Sequence, residues 1–437
     1  MHGAREHETV QQPTWVRWRI LSLLFVVSFV SYLLRMNISV AAKFIMPDLG
    51  LTKIQMGWVF GSFTLAYAAC QFPGGLFGER LGARRSISII ILMWGVLTLL
   101  TGFIPGLFFT SSAAALIVLL GLRFAMGVAQ APIYPVVGGS IAQWFPRSGW
   151  AFPNGLLQTG LTLGAASASP LVAWLMVTLG WRASFYATAP AAFLIVVGWW
   201  WYARDRPTEH RSVNAAEVAL ISAGRSHPAG PVARKGIWRP LLKNREIWLL
   251  TLSYMCMNYV FYIFFAWFYI YLVDVREFGL LAGGFFSALP WLVGAVAATI
   301  GGAVCDRLCV RIGPRLGCRL PCIVSLILVA GFLVAGATAK DPYVAVVFLS
   351  ICFAFTQATE GAYWAGATFV AGRHTPAATG IMNTGGNLGG VISTPLIPIL
   401  AAWVGWVPAL ASGSIFALIS AVLWLWIRVD RPLEETQ

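Results

Sequence analysis

The chain has 437 residues, of which 58% are hydrophobic and only 11% charged, with 20 Trp and a formal net charge of +14. A soluble globular domain does not have that composition; runs of about 20 apolar residues, enough to cross a hydrocarbon core about 30 Å thick, follow one another with short polar breaks. The basic excess does not imply a nucleic-acid partner either, because Lys and Arg fall in alternate loops rather than on one solvated face.

Residues 1–17 are polar and lack a cleavable signal pattern, so they read as a cytoplasmic N-terminus whose first helix is its own insertion signal. An N-terminal six-helix half then covers 18–203. Its first span, 18–45, contains Tyr32-Leu33-Leu34-Arg35-Met36-Asn37. An Arg inside a span is costly, and two readings of Arg35 stand. It faces a wet cavity and pairs with an anion, or it snorkels to the surface, for which its depth of roughly 25 Å along the helix leaves room. A guanidinium suits a carboxylate because its fork donates two parallel hydrogen bonds.

The second span, 54–78, carries Tyr67 and runs into Gly74-Gly75-Leu76-Phe77-Gly78-Glu79-Arg80-Leu81-Gly82-Ala83-Arg84-Arg85. Glycines let helices approach closely, and an acid followed by Arg at a helix end can form a charge lock that breaks when packed helices tilt. The plainer alternative is a solvated turn obeying the positive-inside rule. Spans over 86–107, 112–142, 151–177 and 182–203 complete the half. The fourth contains a second intramembrane cation, Arg123, and the fifth contains Gln158.

The polar, basic stretch 204–246, with Pro207, Pro228 and Pro231, reads as a cytoplasmic linker. A C-terminal half over 247–428 follows, with spans at 247–273, 281–305, 317–338, 342–371, 379–402 and 405–428, then a cytoplasmic tail at 429–437. Cys305, Cys309, Cys318 and Cys322 flank a basic loop with no His nearby and read as packing thiols, with neither a metal site nor a disulfide framework. Glu360, in the tenth span, is an acid at membrane depth. A carboxyl kept from water favours its neutral form, which suits it to loading and releasing a proton; the alternative is a structural partner for an Arg or a backbone group. With the first span starting inside, one set of loops carries about four times the Lys and Arg of the other, which places both termini in the cytoplasm of an inner or plasma membrane.

The halves repeat. Gly74, Gly75, Glu79, Arg80 and Leu81 recur as Gly301, Gly302, Asp306, Arg307 and Leu308, each 227 positions later. Gly155-x-x-Gln158-Thr159-Gly160 recurs as Gly380-x-x-Asn383-Thr384-Gly385 at an offset of 225, which Gly180-Trp181 and Gly405-Trp406 keep. Two offsets so close across half the chain mean a duplicated six-helix unit, and parallel repeats around a midplane cavity are a transporter architecture.

The loop after the second span resembles the signature loop of the major facilitator superfamily, with Glu79 where Asp is usual, and Asp306-Arg307 resembles its degenerate copy. Arg35-Met36-Asn37-Ile38-Ser39-Val40-Ala41-Ala42, Tyr67, Arg123-Phe124 through Gln130-Ala131-Pro132, Trp144-Phe145-Pro146 and Asn383-Thr384-Gly385-Gly386-Asn387 resemble the anion:cation symporter family over nearly the whole chain. That resemblance implies an all-α membrane protein of the major facilitator fold, about twelve helices in two halves, that moves a small organic anion by alternating access. It also implies that Arg35 holds the substrate carboxylate with Tyr32 and Tyr67 in the same cavity, and that Glu79, Arg80, Arg84, Arg85, Asp306 and Arg307 gate. Arg123 corresponds to a motif residue of the fourth helix, for which a structural or gating role is expected ahead of substrate contact. Gln158 and Asn383, related by the duplication, are expected to face each other and bond substrate hydroxyls, with Asn387 a weaker candidate; the other reading of both amides is helix-to-helix glue.

The departures bear on energy. Proton-coupled members of that family commonly carry an acid before the first-helix Arg and another before Ala-Pro in the fourth helix; here those positions are Leu34 and Gln130. Symport through those two carboxylates is excluded, which leaves Glu360 as the candidate proton carrier. The expected partners are a small organic anion, the lipid bilayer and, if Glu360 couples, protons. The chain is expected to act as a monomer, without cofactor or metal. The rival readings are an uncoupled facilitator or anion exchanger, and a non-transporting solute receptor. No nucleophile-base pair or phosphate loop suggests an enzyme.

Overall fold

A computed structural model describes residues 12–431 apart from 104–107, 109–110, 147–150, 223–237 and 373–374. The described residues form seventeen α-helices that make twelve crossings. In the first half these are α1 (Val16–Leu49), α2 (Lys53–Leu81), α3 (Ala83–Phe103), the pair α4 (Ser112–Gln130) and α5 (Ile133–Trp144), α6 (Ala151–Leu179) and α7 (Trp181–Tyr202). In the second they are the pair α10 (Arg245–Ala266) and α11 (Phe268–Asp274), α12 (Leu280–Ile312), α13 (Pro314–Thr338), the pair α14 (Pro342–Ala358) and α15 (Glu360–Ala371), α16 (Thr375–Val404) and α17 (Trp406–Trp426). A helix or broken helix stands at each of the twelve expected spans, and among the described residues eleven of them are long and apolar enough to cross a membrane, α2 being the exception. The helices overrun the expected ends at several positions, α1 reaching Leu49 and α12 Ile312; Thr52 and Gln55 form a capping box at the start of α2, and Asp341 accepts from the backbone of Tyr343 and Val344 at the start of α14. Twelve crossings return the chain to the face where it began, hereafter the terminal face; the opposite face is the far face.

The described part of the expected linker is ordered, with a 3₁₀ turn at Pro207–Glu209, α8 (Ala215–Ser222) and α9 (Trp238–Lys243). Its anchor is Glu217, fully buried, which accepts from the Thr14 hydroxyl and from the Arg17 backbone (3.2 Å) and guanidinium (3.1 Å).

Lipid tails are as apolar as Leu, so the hydrophobic effect does little to hold one spanning helix to the next, and polar contacts and close packing take its place. In the first half Asn37 of α1 donates to Thr188 (3.0 Å) and accepts from Ser184 (3.2 Å) on α7. In the second, Ser253, Tyr363 and Ser420 bond one another at 2.7–2.8 Å and tie α10, α15 and α17. Such intramembrane bonds are worth about 0.6 kcal/mol each.

Three crossings are broken, two of them near mid-membrane at repeat-equivalent positions and one toward the far face. α5 begins at Ile133 and α15 at Glu360, 227 positions apart, the same offset as the loop repeat. The third break, at Trp267, ends α10. Irregular backbone at membrane depth is tolerated where protein or a cavity, rather than lipid, surrounds it.

The halves meet chiefly through α2 on α16 and α6 on α12. Gly57 is what lets α2 approach: a Cβ there would lie 2.6 Å from the Thr394 carbonyl oxygen of α16. This contact lies toward the far face, where Asp274 of α11 is clasped by Lys43 of α1 and by Lys53 of α2 at 2.6 Å. Lys53 also sits over the Trp406 ring at 5.0 Å, and Trp267 donates to the Thr394 carbonyl at 2.9 Å. The few cations expected at this face are thus largely used: Arg182 pairs with Asp48 at 2.8 Å, and Arg276 binds the last carbonyls of α13. These contacts join the two halves at the far face.

Candidate functional site

Arg35 lies inside the protein, on α1. Its side chain does not snorkel; it is 3% exposed, on the face of α1 turned toward the second half. It donates to the hydroxyls of Tyr262 (3.1 Å, α10) and Tyr32 (3.5 Å). Four aromatic faces surround the guanidinium: Phe63 at 4.7 Å, Tyr67 and Phe265 at 4.8 Å, and Tyr32 at 5.2 Å. The rings contribute about 0.5–2 kcal/mol each by cation–π attraction, yet none carries a countercharge. Its Nε is buried without an acceptor.

Arg123 joins this cluster: its guanidinium lies over the same Phe63 ring at 4.8 Å, beside Arg35. It is 4% exposed and its Nε also lacks an acceptor. Among the described residues neither arginine forms an ion pair, so two buried positive charges share one aromatic wall with no carboxylate to balance them. A buried unpaired charge costs several kcal/mol, and an anionic ligand between the halves would remove that cost.

From Tyr262 a polar chain continues across the second half. Its hydroxyl donates to Asn387 (2.7 Å), Asn387 donates to the Asn383 carbonyl (2.8 Å), and the Asn383 amide donates to Gln71 of α2 (3.1 Å), back across the interface. Asn383 and Gln158 do not face each other: Gln71 stands against Asn383, and Gln158 is exposed on α6. The reason is topological. α6 packs on α12 and α16 on α2, at opposite flanks of the interface, so duplicated residues on these helices are equivalent without being opposed.

Glu360 opens α15 at the mid-membrane break and is half-buried. Its carboxylate accepts from the Tyr254 hydroxyl (3.1 Å) and the Trp364 indole (2.9 Å). Among the described residues no cation forms an ion pair with it. Tyr254, which bonds Glu360, and Tyr262, which bonds Arg35, stand eight residues apart on one stripe of α10, a rise of about 12 Å along the helix.

The loop residues lie elsewhere. Arg80, Arg85, Asp306 and Arg307 are exposed at the terminal face, and the Glu79 side chain lies outside the described residues. Arg84 stacks on Trp200 (4.5 Å) and donates to its carbonyl (2.7 Å), while Asp205, at the start of the linker, accepts from the Arg84 backbone (2.8 Å). Among the described residues none of these charges bridges the halves; the bridging ion pairs are those of Asp274.

Tyr262, Phe63, Phe265, Gln71 and Tyr254 were not anticipated. One signal for Tyr262 was available: it stands 227 residues after Arg35, at the repeat offset, and α1 and α10 face each other.

The sequence profile of the Major Facilitator Superfamily matches residues 24–365 and 311–437. A probable sulfoacetate transporter of Cupriavidus necator is 30% identical over 434 residues, covering 98% of this chain and 98% of that protein. A D-galactonate transporter of Escherichia coli is 29% identical over 432 residues, covering 96% and 97%. Among solved structures, a bacterial homologue of the lysosomal transporter Spinster superposes with a TM-score of 0.77 at 17% identity, covering 94% of this chain and 97% of that one.

Proposed function

The chain belongs to the Major Facilitator Superfamily, and from that premise we propose that it carries a small organic anion, a sugar acid or a carboxylate of similar size, by alternating access. The observation that carries this reading is the Arg35–Arg123 cluster: two buried guanidiniums on one aromatic wall with no carboxylate between them. Arg35 takes the anionic group through its free donors, Arg123 adds field, and Tyr32, Tyr67, Asn383 and Asn387 meet hydroxyls or a second polar end. The relatives' printed substrates, galactonate, galactarate or glucarate, hexuronate and sulfoacetate, are all small acids.

The basic loops put the termini on the cytoplasmic side, so closure at Asp274 leaves the site addressed from the cytoplasm. Release of Asp274 from Lys43 and Lys53, with engagement of the Arg80–Arg85 loop and its Asp306–Arg307 copy, turns the site outward. The whole cluster lies within one chain, in keeping with a monomeric carrier of an inner or plasma membrane.

Counterflow in reconstituted vesicles tests the reading. Vesicles loaded with D-galactonate, D-glucarate or sulfoacetate are expected to take up the labelled form of at least one of them, and vesicles loaded with neutral galactitol to show no exchange. Exchange of the neutral polyol without any of the acids would overturn an anion site.

A further inference from the structure

We propose that Cys305, Cys309 and Cys318 form a three-thiolate site for a thiophilic metal ion, zinc in the first instance, at the terminal-face end of the α12–α13 hairpin. The three sulfurs make a near-equilateral triangle with edges of 3.6 Å (Cys309–Cys318), 3.8 Å (Cys305–Cys318) and 3.9 Å (Cys305–Cys309). A tetrahedral zinc with bonds of about 2.3 Å requires sulfurs about 3.8 Å apart, so the ligands need scarcely move.

The backbone is arranged for this approach. Cys305 and Cys309 are one turn apart on α12, and α13 comes close enough for Cys318 because its neighbour is Gly317; a Cβ there would lie 2.7 Å from the Cys309 sulfur. Cys318 and Cys305 are buried and Cys309 is half-buried, which leaves the fourth position toward the outside, as in zinc sites that keep an open coordination position. Cys322, one turn further, belongs to the packing: its sulfur lies against the Thr359 carbonyl.

The location supplies access and charge. Cys305 is 25 residues into α12, about 37 Å, beyond the thickness of a hydrocarbon core. Arg307, Arg311 and Arg315 stand in the adjoining turns, a basic surrounding for an anionic metal–thiolate group. Binding releases the thiol protons and leaves a divalent ion on three thiolates with a net charge of −1, opposed by those arginines. The ion would staple α12 to α13 beside Asp306-Arg307, within the second half, so it stabilises that half without joining it to the first. This site is independent of the anion reading.

The test is a cobalt titration of the purified full-length protein, reduced with a phosphine. One equivalent is expected to give thiolate-to-cobalt charge-transfer absorption that zinc displaces, and zinc is expected to raise the unfolding temperature. Cys305→Ser, Cys309→Ser and Cys318→Ser should each weaken binding by at least about tenfold, whereas Cys256→Ser and Cys352→Ser should leave it unchanged. Where a serine variant fails to fold, the wild-type protein decides: zinc should protect three thiols, mapped to these positions, from alkylation. Absence of the charge-transfer band, cobalt binding that survives Cys318→Ser, or a disulfide among the three in freshly isolated protein would overturn the proposal.

Discussion

Arg35→Ala is expected to abolish anion counterflow while leaving a folded protein whose thermal stability without substrate is equal to or higher than wild type. The two halves of that expectation have one cause. In the empty carrier Arg35 is a buried cation held by four rings and two hydroxyls, none of which neutralises it, and an Arg at membrane depth costs about 3 kcal/mol. Removing it relieves that cost. With the anion bound, however, the same guanidinium is the charged partner, and truncating one side of a buried ion pair costs about 3 kcal/mol or more, on the order of a hundredfold in affinity. Arg35→Lys should restore little, since an ammonium on a flexible stem cannot reproduce the planar fork or its stacking in the aromatic box. Wild-type exchange by either variant at equal expression, or a marked fall in the stability of empty Arg35→Ala protein, would contradict the assignment.

Glu360→Gln is expected to keep counterflow and lose accumulation driven by a pH gradient. Counterflow needs only alternation of the loaded carrier, whereas accumulation needs a group that binds a proton in one half of the cycle and releases it in the other. With Leu34 and Gln130 where acids are expected, Glu360 is the remaining carboxyl well inside a span. Its partner Tyr254 and Arg35's partner Tyr262 lie on one stripe of α10. Glutamine keeps an oxygen that can accept from Tyr254 and Trp364, so the break between α14 and α15 should persist. Accumulation by Glu360→Gln equal to wild type would make the residue structural, and absence of pH-driven accumulation in the wild type would make the chain a facilitator or exchanger.

The fold was legible because hydropathy and an internal offset are both one-dimensional signals. Twelve runs of sufficient length and two matching offsets need no knowledge of which helix face points where. Arg35, Arg123 and Glu360 were legible for a related reason: a charge in an apolar run is conspicuous whatever its orientation. Tyr254, Phe63 and Phe265 were not. They lie in helices apolar on nearly every side, where an aromatic facing the cavity and one facing lipid look alike. Gln158 and Asn383 show the limit of arguing from duplication. Equivalent residues meet only on helices that face each other, as α1 and α10 do, and Arg35 with Tyr262 is that case. The thiols escaped because Cys318 reaches Cys305 and Cys309 across a helix hairpin, through an approach that depends on Gly317.

The central claim is that two unbalanced buried arginines define an anion site, and ligand-dependent stability measures it most directly. A ligand that binds only the folded state stabilises it by about 2.7 kcal/mol at a hundred times its dissociation constant. Purified wild-type protein is therefore expected to show a concentration-dependent rise in unfolding temperature with the transported acid, no rise with the matching neutral polyol, and no rise with either in Arg35→Ala. Equal stabilisation of wild type by acid and polyol, or full stabilisation of Arg35→Ala by the acid, would contradict it.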